Sequence, residues 1–161
     1  MRFHLVDRVL ELEPGKKIRM VKNLTLAEEY LADHFPGFPV MPGVLMLQTL
    51  VESAAWLLRV SEDFKHSIIA LRGARNVKYG SFMEPGRSLV TTVELAEAAD
   101  SEVAFKGKGE MEGQASVSAR FTVARYNLAD RDPALHDMDA QIISDLRRQW
   151  LVLSGALGCE R

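Results

Sequence analysis

Apolar and polar residues alternate with a period of two along several stretches of the chain, and each such stretch predicts a half-buried strand. The clearest is Gln114 to Tyr126, where Ala115, Val117, Ala119, Phe121 and Val123 share one face and Ser116, Ser118, Arg120 and Thr122 the other. Lys17 to Leu24 sets Ile18, Met20 and Lys22 against Arg19, Val21 and Asn23, after a turn signal at Leu12-Glu13-Pro14-Gly15-Lys16. Ser67 to Leu71, Arg75 to Phe82, Ser88 to Ala96 and Glu102 to Met111 read as further strands. Turn signals at Gly73, Glu84-Pro85-Gly86, Asp100-Ser101 and Glu112-Gly113 divide them.

Three stretches break this rhythm. Val44 to Leu58 is helix-compatible at nearly every position and apolar on most of its circumference, as expected of a helix buried all round. Gln48 and Glu52, and Thr49 and Ser53, are spaced by four residues, so the four predict one polar stripe. Thr25 to Ala32 predicts a short helix capped by Thr25, with Glu28 as its reciprocal partner. Asp137 to Leu157 has Met138, Ile142, Leu146 and Trp150 on one side and charged residues elsewhere, an amphipathic helix expected to pack on the domain or on a subunit. One long buried helix and a meander of strands predict an α+β fold, an antiparallel sheet wrapped around a central helix. The expected division is a domain over 1–127 and a linker with a C-terminal helix over 128–161.

Composition narrows the function. The chain has 161 residues, 47% of them hydrophobic, which suits a single core. Twenty basic against 22 acidic residues leave a formal charge of −2, too little field to hold a nucleic-acid backbone. The lone cysteine, Cys159, cannot form an internal disulfide, and no Cys/His group has zinc-ligand spacing, so a reducing compartment such as the cytoplasm and no metal are expected. The first residues lack the basic patch and long apolar run of a signal peptide. Val44 to Val60 is interrupted by Gln48, Thr49, Glu52, Ser53 and Arg59 and falls short of the roughly 20 apolar residues of a membrane span.

Chemistry concentrates between two of these elements. His34-Phe35-Pro36-Gly37-Phe38-Pro39-Val40-Met41-Pro42-Gly43 holds three prolines and two glycines in ten residues, too many for helix or central strand. This loop runs straight into the long helix. Pro42 and Gly43 at the helix mouth leave backbone N–H groups pointing outward, and a carbonyl docked there would have its developing negative charge stabilised by the Gly43 N–H and the helix dipole. His34 is the histidine of the four with supporting context and the candidate base.

Several separated blocks in order resemble the FabZ-type 3-hydroxyacyl-carrier-protein dehydratases: Leu5 to Lys16, His34-Phe35-Pro36-Gly37, Pro42-Gly43-Val44-Leu45, Asn76-Val77-Lys78-Tyr79 and Glu84-Pro85-Gly86. The resemblance covers roughly residues 1 to 126. It implies a hot-dog fold, a homodimer whose two sheets join edge to edge, and often a trimer of such dimers making a hexamer. It also implies a place in fatty acid biosynthesis, acyl carrier protein as partner, and a substrate carried on that protein's phosphopantetheine arm with no metal or redox cofactor. By residue, it implies that His34 takes the C2 proton of a 3-hydroxyacyl thioester and that Gly43 N–H polarises its carbonyl. Phe35, Pro42 and Val44 complete the substrate-binding group, and Phe38, Met41, Met46, Phe82 and Met83 are candidates for an acyl tunnel. Arg72, Arg75 and Lys78 are candidates for the carrier protein's acidic surface.

One position departs from the pattern. The family's acid, contributed by the other subunit, belongs at position 48, where this chain has Gln48; Glu52 stands one turn later, about 5.4 Å along the helix. A carboxamide hydrogen-bonds but does not supply a proton, and losing a general acid costs about 10²- to 10⁴-fold in rate. Three accounts follow: Glu52 replaces the acid, His34 moves both protons, or the chain binds acyl or carrier protein as a non-catalytic or heteromeric subunit. A hot-dog thioesterase using Glu52 or Asp33 to activate water is a further reading. The expected activity is dehydration to the trans-2-enoyl thioester, with Gln48 and Glu52 joining His34 as candidate catalytic residues.

Overall fold

The computed structural model describes residues 4–155; Cys159 and the expected helix end at Leu157 lie outside these residues. The six strands form one antiparallel sheet in the order β1-β2-β4-β5-β6-β3. They are β1 (Arg8–Glu13), β2 (Lys17–Asn23), β3 (Ile68–Tyr79), β4 (Ser88–Ala98), β5 (Glu102–Met111) and β6 (Gln114–Tyr126). Three α-helices accompany them: α1 (Tyr30–Asp33), α2 (Gly43–Ser61) and α3 (His136–Leu153).

The sheet curls around α2. Inward-facing Ile18, Met20, Leu89, Val93, Val103, Phe105, Val117, Phe121 and Val123 meet Met46, Leu50, Ala54, Leu57 and Leu58 of the helix in one buried core. Each such side chain contributes about 1.5–3 kcal/mol by leaving water. Close approach of helix to sheet needs a gap, and Gly107 on β5 supplies it: a Cβ there would come within 3.0 Å of Phe121 and 3.2 Å of Leu50. α2 is long and apolar enough by composition to cross a membrane, yet 56% of its apolar stretch is buried by its own domain.

One strand is new and three expectations are corrected. The alternating residues before Pro14 form a strand, β1, which makes a hairpin with β2 through Gly15 at φ 73°. Gly73 does not end a strand; it sits at a bulge within the twelve-residue β3, which runs through both expected pieces. The helix expected from Thr25 is reduced to the four residues of α1 with no side-chain cap, because the Glu28 carboxylate is taken by the buried Lys22 ammonium instead of returning to Thr25. α2 is not buried all round: Val44 and Gln48 are exposed, Val44 by 68%.

α3 lies over the C-terminal half of α2. Trp150 packs beside Trp56 with ring centroids 5.9 Å apart, and Ile143 and Leu146 join the same apolar surface. Its first turn is pinned by Asp139, which accepts from Ser67 Oγ and from the Leu128 and Ala129 N–H groups at 3.0 and 2.9 Å. An ionised carboxylate so buried needs this many donors to replace its water.

Candidate active site

α1 ends at His34, and the left-handed backbone of Phe35, φ 51°, then turns the chain sharply. The Phe38 N–H donates to the Phe35 carbonyl at 2.7 Å, closing a turn, and the Met41 N–H donates to the Met83 carbonyl at 2.9 Å. Pro42 follows with extended ψ and leads into the first turn of α2, its missing N–H costing nothing where helix donors are free. The Pro/Gly segment is therefore an ordered loop tied to the β3–β4 connection.

The same loop fixes the tautomer of His34. Nδ1 lies 3.2 Å from the Val40 carbonyl, and a carbonyl can only accept, so Nδ1 carries the hydrogen. A neutral imidazole then presents Nε2 as an unprotonated base. The Phe35 ring holds the other side of the imidazole, edge to face at 4.5 Å.

His34 opens onto a cavity of about 340 Å³ lined by Phe35, Met41, Gly43, Met46, Tyr79, Gly80, Ser81 and Phe82. The base, the helix mouth at Gly43 and three of the expected tunnel residues, Met41, Met46 and Phe82, thus meet at one place. Phe38 backs Phe82 edge to face at 5.6 Å, and Met83 is fully buried in the core behind them. Tyr79 covers Gly43 so closely that a Cβ at position 43 would sit 3.1 Å from its Cε1. Position 80 admits no side chain, since a Cβ would fall 2.6 Å from the Ala115 carbonyl oxygen. Ser81 was not singled out from the sequence, and Tyr79 was named only within the Asn76-Val77-Lys78-Tyr79 block with no site role; a tyrosine inside a predicted strand carries no mark of what it faces.

The expected polar stripe on α2 divides in two. Thr49 and Ser53 are buried against β4, with Ser53 Oγ 2.9 Å from Thr91 Oγ1 and both hydroxyls donating to carbonyls one turn back. Gln48 and Glu52 face about 100° away from them, because successive helix positions rotate by that angle. Gln48 is exposed and does not line the cavity of its own chain. Glu52 is nine residues from Gly43, about half a turn round the helix and roughly 13 Å along it.

Glu52 Oε2 accepts the Leu5 N–H at 2.8 Å and so ties the N-terminal segment to α2. Burial pushes its carboxyl up to about 7, against the pull of that N–H, the neighbouring Trp56 indole and the Arg59 and Lys22 charges. Arg59 lies over the Trp56 ring at 5.1 Å, and burial lowers its guanidinium to about 10, still charged at neutral pH. Among the described residues no group of three or more His, Cys, Asp or Glu is placed to hold a metal ion.

The FabA-like domain family matches residues 1–120. The 3-hydroxyacyl-[acyl-carrier-protein] dehydratase FabZ of Albidiferax ferrireducens is 38% identical over 130 residues, 79% of this chain and 87% of that protein. The chain belongs to the FabZ-type dehydratase family. Its namesake from Janthinobacterium sp. is 36% identical over 81% of this chain and 85% of its own. Among solved structures, the dehydratase heterocomplex ApeI:P from Xenorhabdus doucetiae superposes with a TM-score of 0.67 over 83% of this chain and 90% of that one, at 15% identity. The Streptococcus mutans protein smu.793 bound to acetyl CoA gives 0.57 over 78% and 92%, at 14% identity. The fold is the hot-dog fold expected from the FabZ-type blocks, with α3 lying beyond the segment that the FabA-like family matches.

Proposed function

We propose that this FabZ-type hydro-lyase removes water from 3-hydroxyacyl thioesters presented by acyl carrier protein, with His34 as base and Gly43 N–H as carbonyl donor. The observation that carries this is the oriented imidazole: Nδ1 held on the Val40 carbonyl and Nε2 without a hydrogen bond among the described residues, at an apolar cavity that also contains the mouth of α2. Deprotonation at C2 pushes charge onto the thioester oxygen, and the Gly43 N–H with the helix dipole stabilises it there. Elimination then expels the C3 hydroxyl and leaves the trans-2-enoyl thioester. The reaction as read here needs no metal or redox cofactor, since the phosphopantetheine arm enters with the substrate.

Two features support a paired enzyme working with a carrier protein. β3 is a twelve-residue edge strand that among the described residues pairs with β6 alone, and a second copy aligned on it would bury its free edge, with a trimer of such dimers as a larger assembly. In such a pair the exposed Gln48 of one subunit would reach the cavity of the other and hydrogen-bond the substrate hydroxyl. Arg75, Arg120 and Lys106 stand side by side across β3, β6 and β5, a like-charge row that an acidic carrier surface would neutralise. Arg72 is engaged with Glu102 at 3.3 Å.

The test is incubation with a 3-hydroxyacyl carrier protein while enoyl thioester and free acid are both followed. Enoyl formation that disappears in His34→Ala is the expected result. Release of free acid would indicate a thioesterase, and tight carrier binding without turnover would indicate a binding or heteromeric subunit.

A further inference from the structure

With no acid at position 48 and Glu52 bound to Leu5 across the helix, the departing hydroxyl needs another proton donor. Of the nine residues around the cavity, His34, Tyr79 and Ser81 have side chains with a transferable proton. Ser81 Oγ already donates to Ser116 Oγ at 2.9 Å, and an alkyl alcohol is a poor acid. The Tyr79 hydroxyl makes no hydrogen bond among the described residues. We propose that Tyr79 is a catalytic residue whose hydroxyl protonates the departing C3 hydroxyl group, a role that rests on the dehydratase reading above.

The placement is specific. Three consecutive atoms of the Tyr79 ring, Cδ1, Cε1 and Cζ, lie 3.3, 3.1 and 3.3 Å from where a Cβ on Gly43 would be. The hydroxyl is one bond beyond Cζ on a ring that covers Gly43 in the same cavity, and C3 of a thioester whose carbonyl docks at Gly43 is two carbons from that carbonyl. The backbone is held for this purpose: Tyr79 pairs with Val117, and the Gly80 N–H donates to the Ser116 carbonyl at 2.9 Å.

The proton inventory balances. His34 Nε2 takes the C2 proton; the electron pair forms the C2–C3 double bond as the C3–O bond breaks; the oxygen takes the phenolic proton and leaves as water. The phenolate then recovers its proton from the His34 imidazolium, which resets both groups. A phenol is a stronger acid than water and so protonates a departing hydroxide, and an imidazolium is a stronger acid than a phenol and so reprotonates the phenolate.

Tyr79→Phe keeps the ring on Gly43 and removes only the donor. On a 3-hydroxyacyl thioester it is expected to lower kcat about 10²-fold or more with KM within about threefold. Exchange of the C2 proton with deuterium oxide should persist, because His34 and Gly43 are untouched. Adding Gln48→Glu to Tyr79→Phe should restore most of the elimination rate by supplying a second donor. Turnover within about threefold of the parent, or loss of exchange together with elimination at an unchanged unfolding temperature, would overturn the proposal. A parent protein that shows neither elimination nor exchange would instead remove the dehydratase reading, and this proposal with it.

Discussion

The two halves of α2 carry the same kinds of residue and serve different ends. In the first half, Gly43 and Met46 border the cavity while Val44 and Gln48 face outward and are exposed. In the second half, Ser53, Ala54, Ala55, Trp56, Leu57 and Leu58 are buried, and even the carboxylate of Glu52 is covered. The cover comes from afar in sequence: Leu5 from the N-terminal segment and Trp150 from α3. Two polar residues one turn apart thus differ because one is exposed and the other is committed to joining elements.

The comparison can be broken at four points. The largest effect is expected at the base: His34→Ala should lower elimination by about 10³-fold, near 4 kcal/mol, with little change in the unfolding temperature, as steady-state kinetics and thermal melts would show. Next comes Glu52. Its folded pKa of about 7 lies above the ordinary 4.5, so the folded state holds the extra proton between these values and loses stability as pH rises through the window. The full penalty, about 3 kcal/mol, applies above pH 7 and vanishes below about 4.5. Glu52→Gln should therefore be more stable than the parent at pH 8 and nearly equal at pH 4.5 in urea titrations, with turnover within about threefold. A large loss of turnover would place Glu52 in the chemistry after all.

Gln48→Glu restores a titratable donor to the exposed half of the helix and should raise the elimination rate about tenfold, or 1.4 kcal/mol, without altering stability by a similar amount. The smallest effect belongs to the buried hydroxyl ladder. Ser53→Ala leaves Thr91 Oγ1 its weaker bond to the Met20 carbonyl at 3.3 Å and should cost about 1 kcal/mol in urea unfolding with no kinetic signature.

Much of this architecture was legible in the residues. The bounds of β5 and β6 follow from period-two alternation and the turn at Glu112-Gly113, where Glu112 and Gly113 both take positive φ. The start of α2 was signalled by Pro42, and the Pro/Gly loop before it by composition alone. β1 was less legible because its apolar residues are only partly covered and its last residues merge into the turn. The bulge at Gly73 reads as a turn in sequence, since the same glycine serves either when the partner strand is unknown. The stripe on α2 was misjudged for a related reason: spacing tells which residues share a helix face and is silent on what each face meets.

The sequence by itself determined the local frame: an alternating set of strands, a long apolar helix begun by proline and glycine, and a histidine at the head of the loop that feeds it. Local sterics and burial periodicity suffice for these, because each depends on neighbours a few positions away. Tertiary structure alone decided which groups face the cavity and which are spoken for. The Val40 carbonyl that sets the His34 tautomer, the Tyr79 ring over Gly43 and the Leu5 N–H on Glu52 are contacts made by chain reversal. Leu5 and Glu52 are 47 positions apart. No pattern of spacing encodes such a pairing, since it exists only once the sheet has closed around the helix.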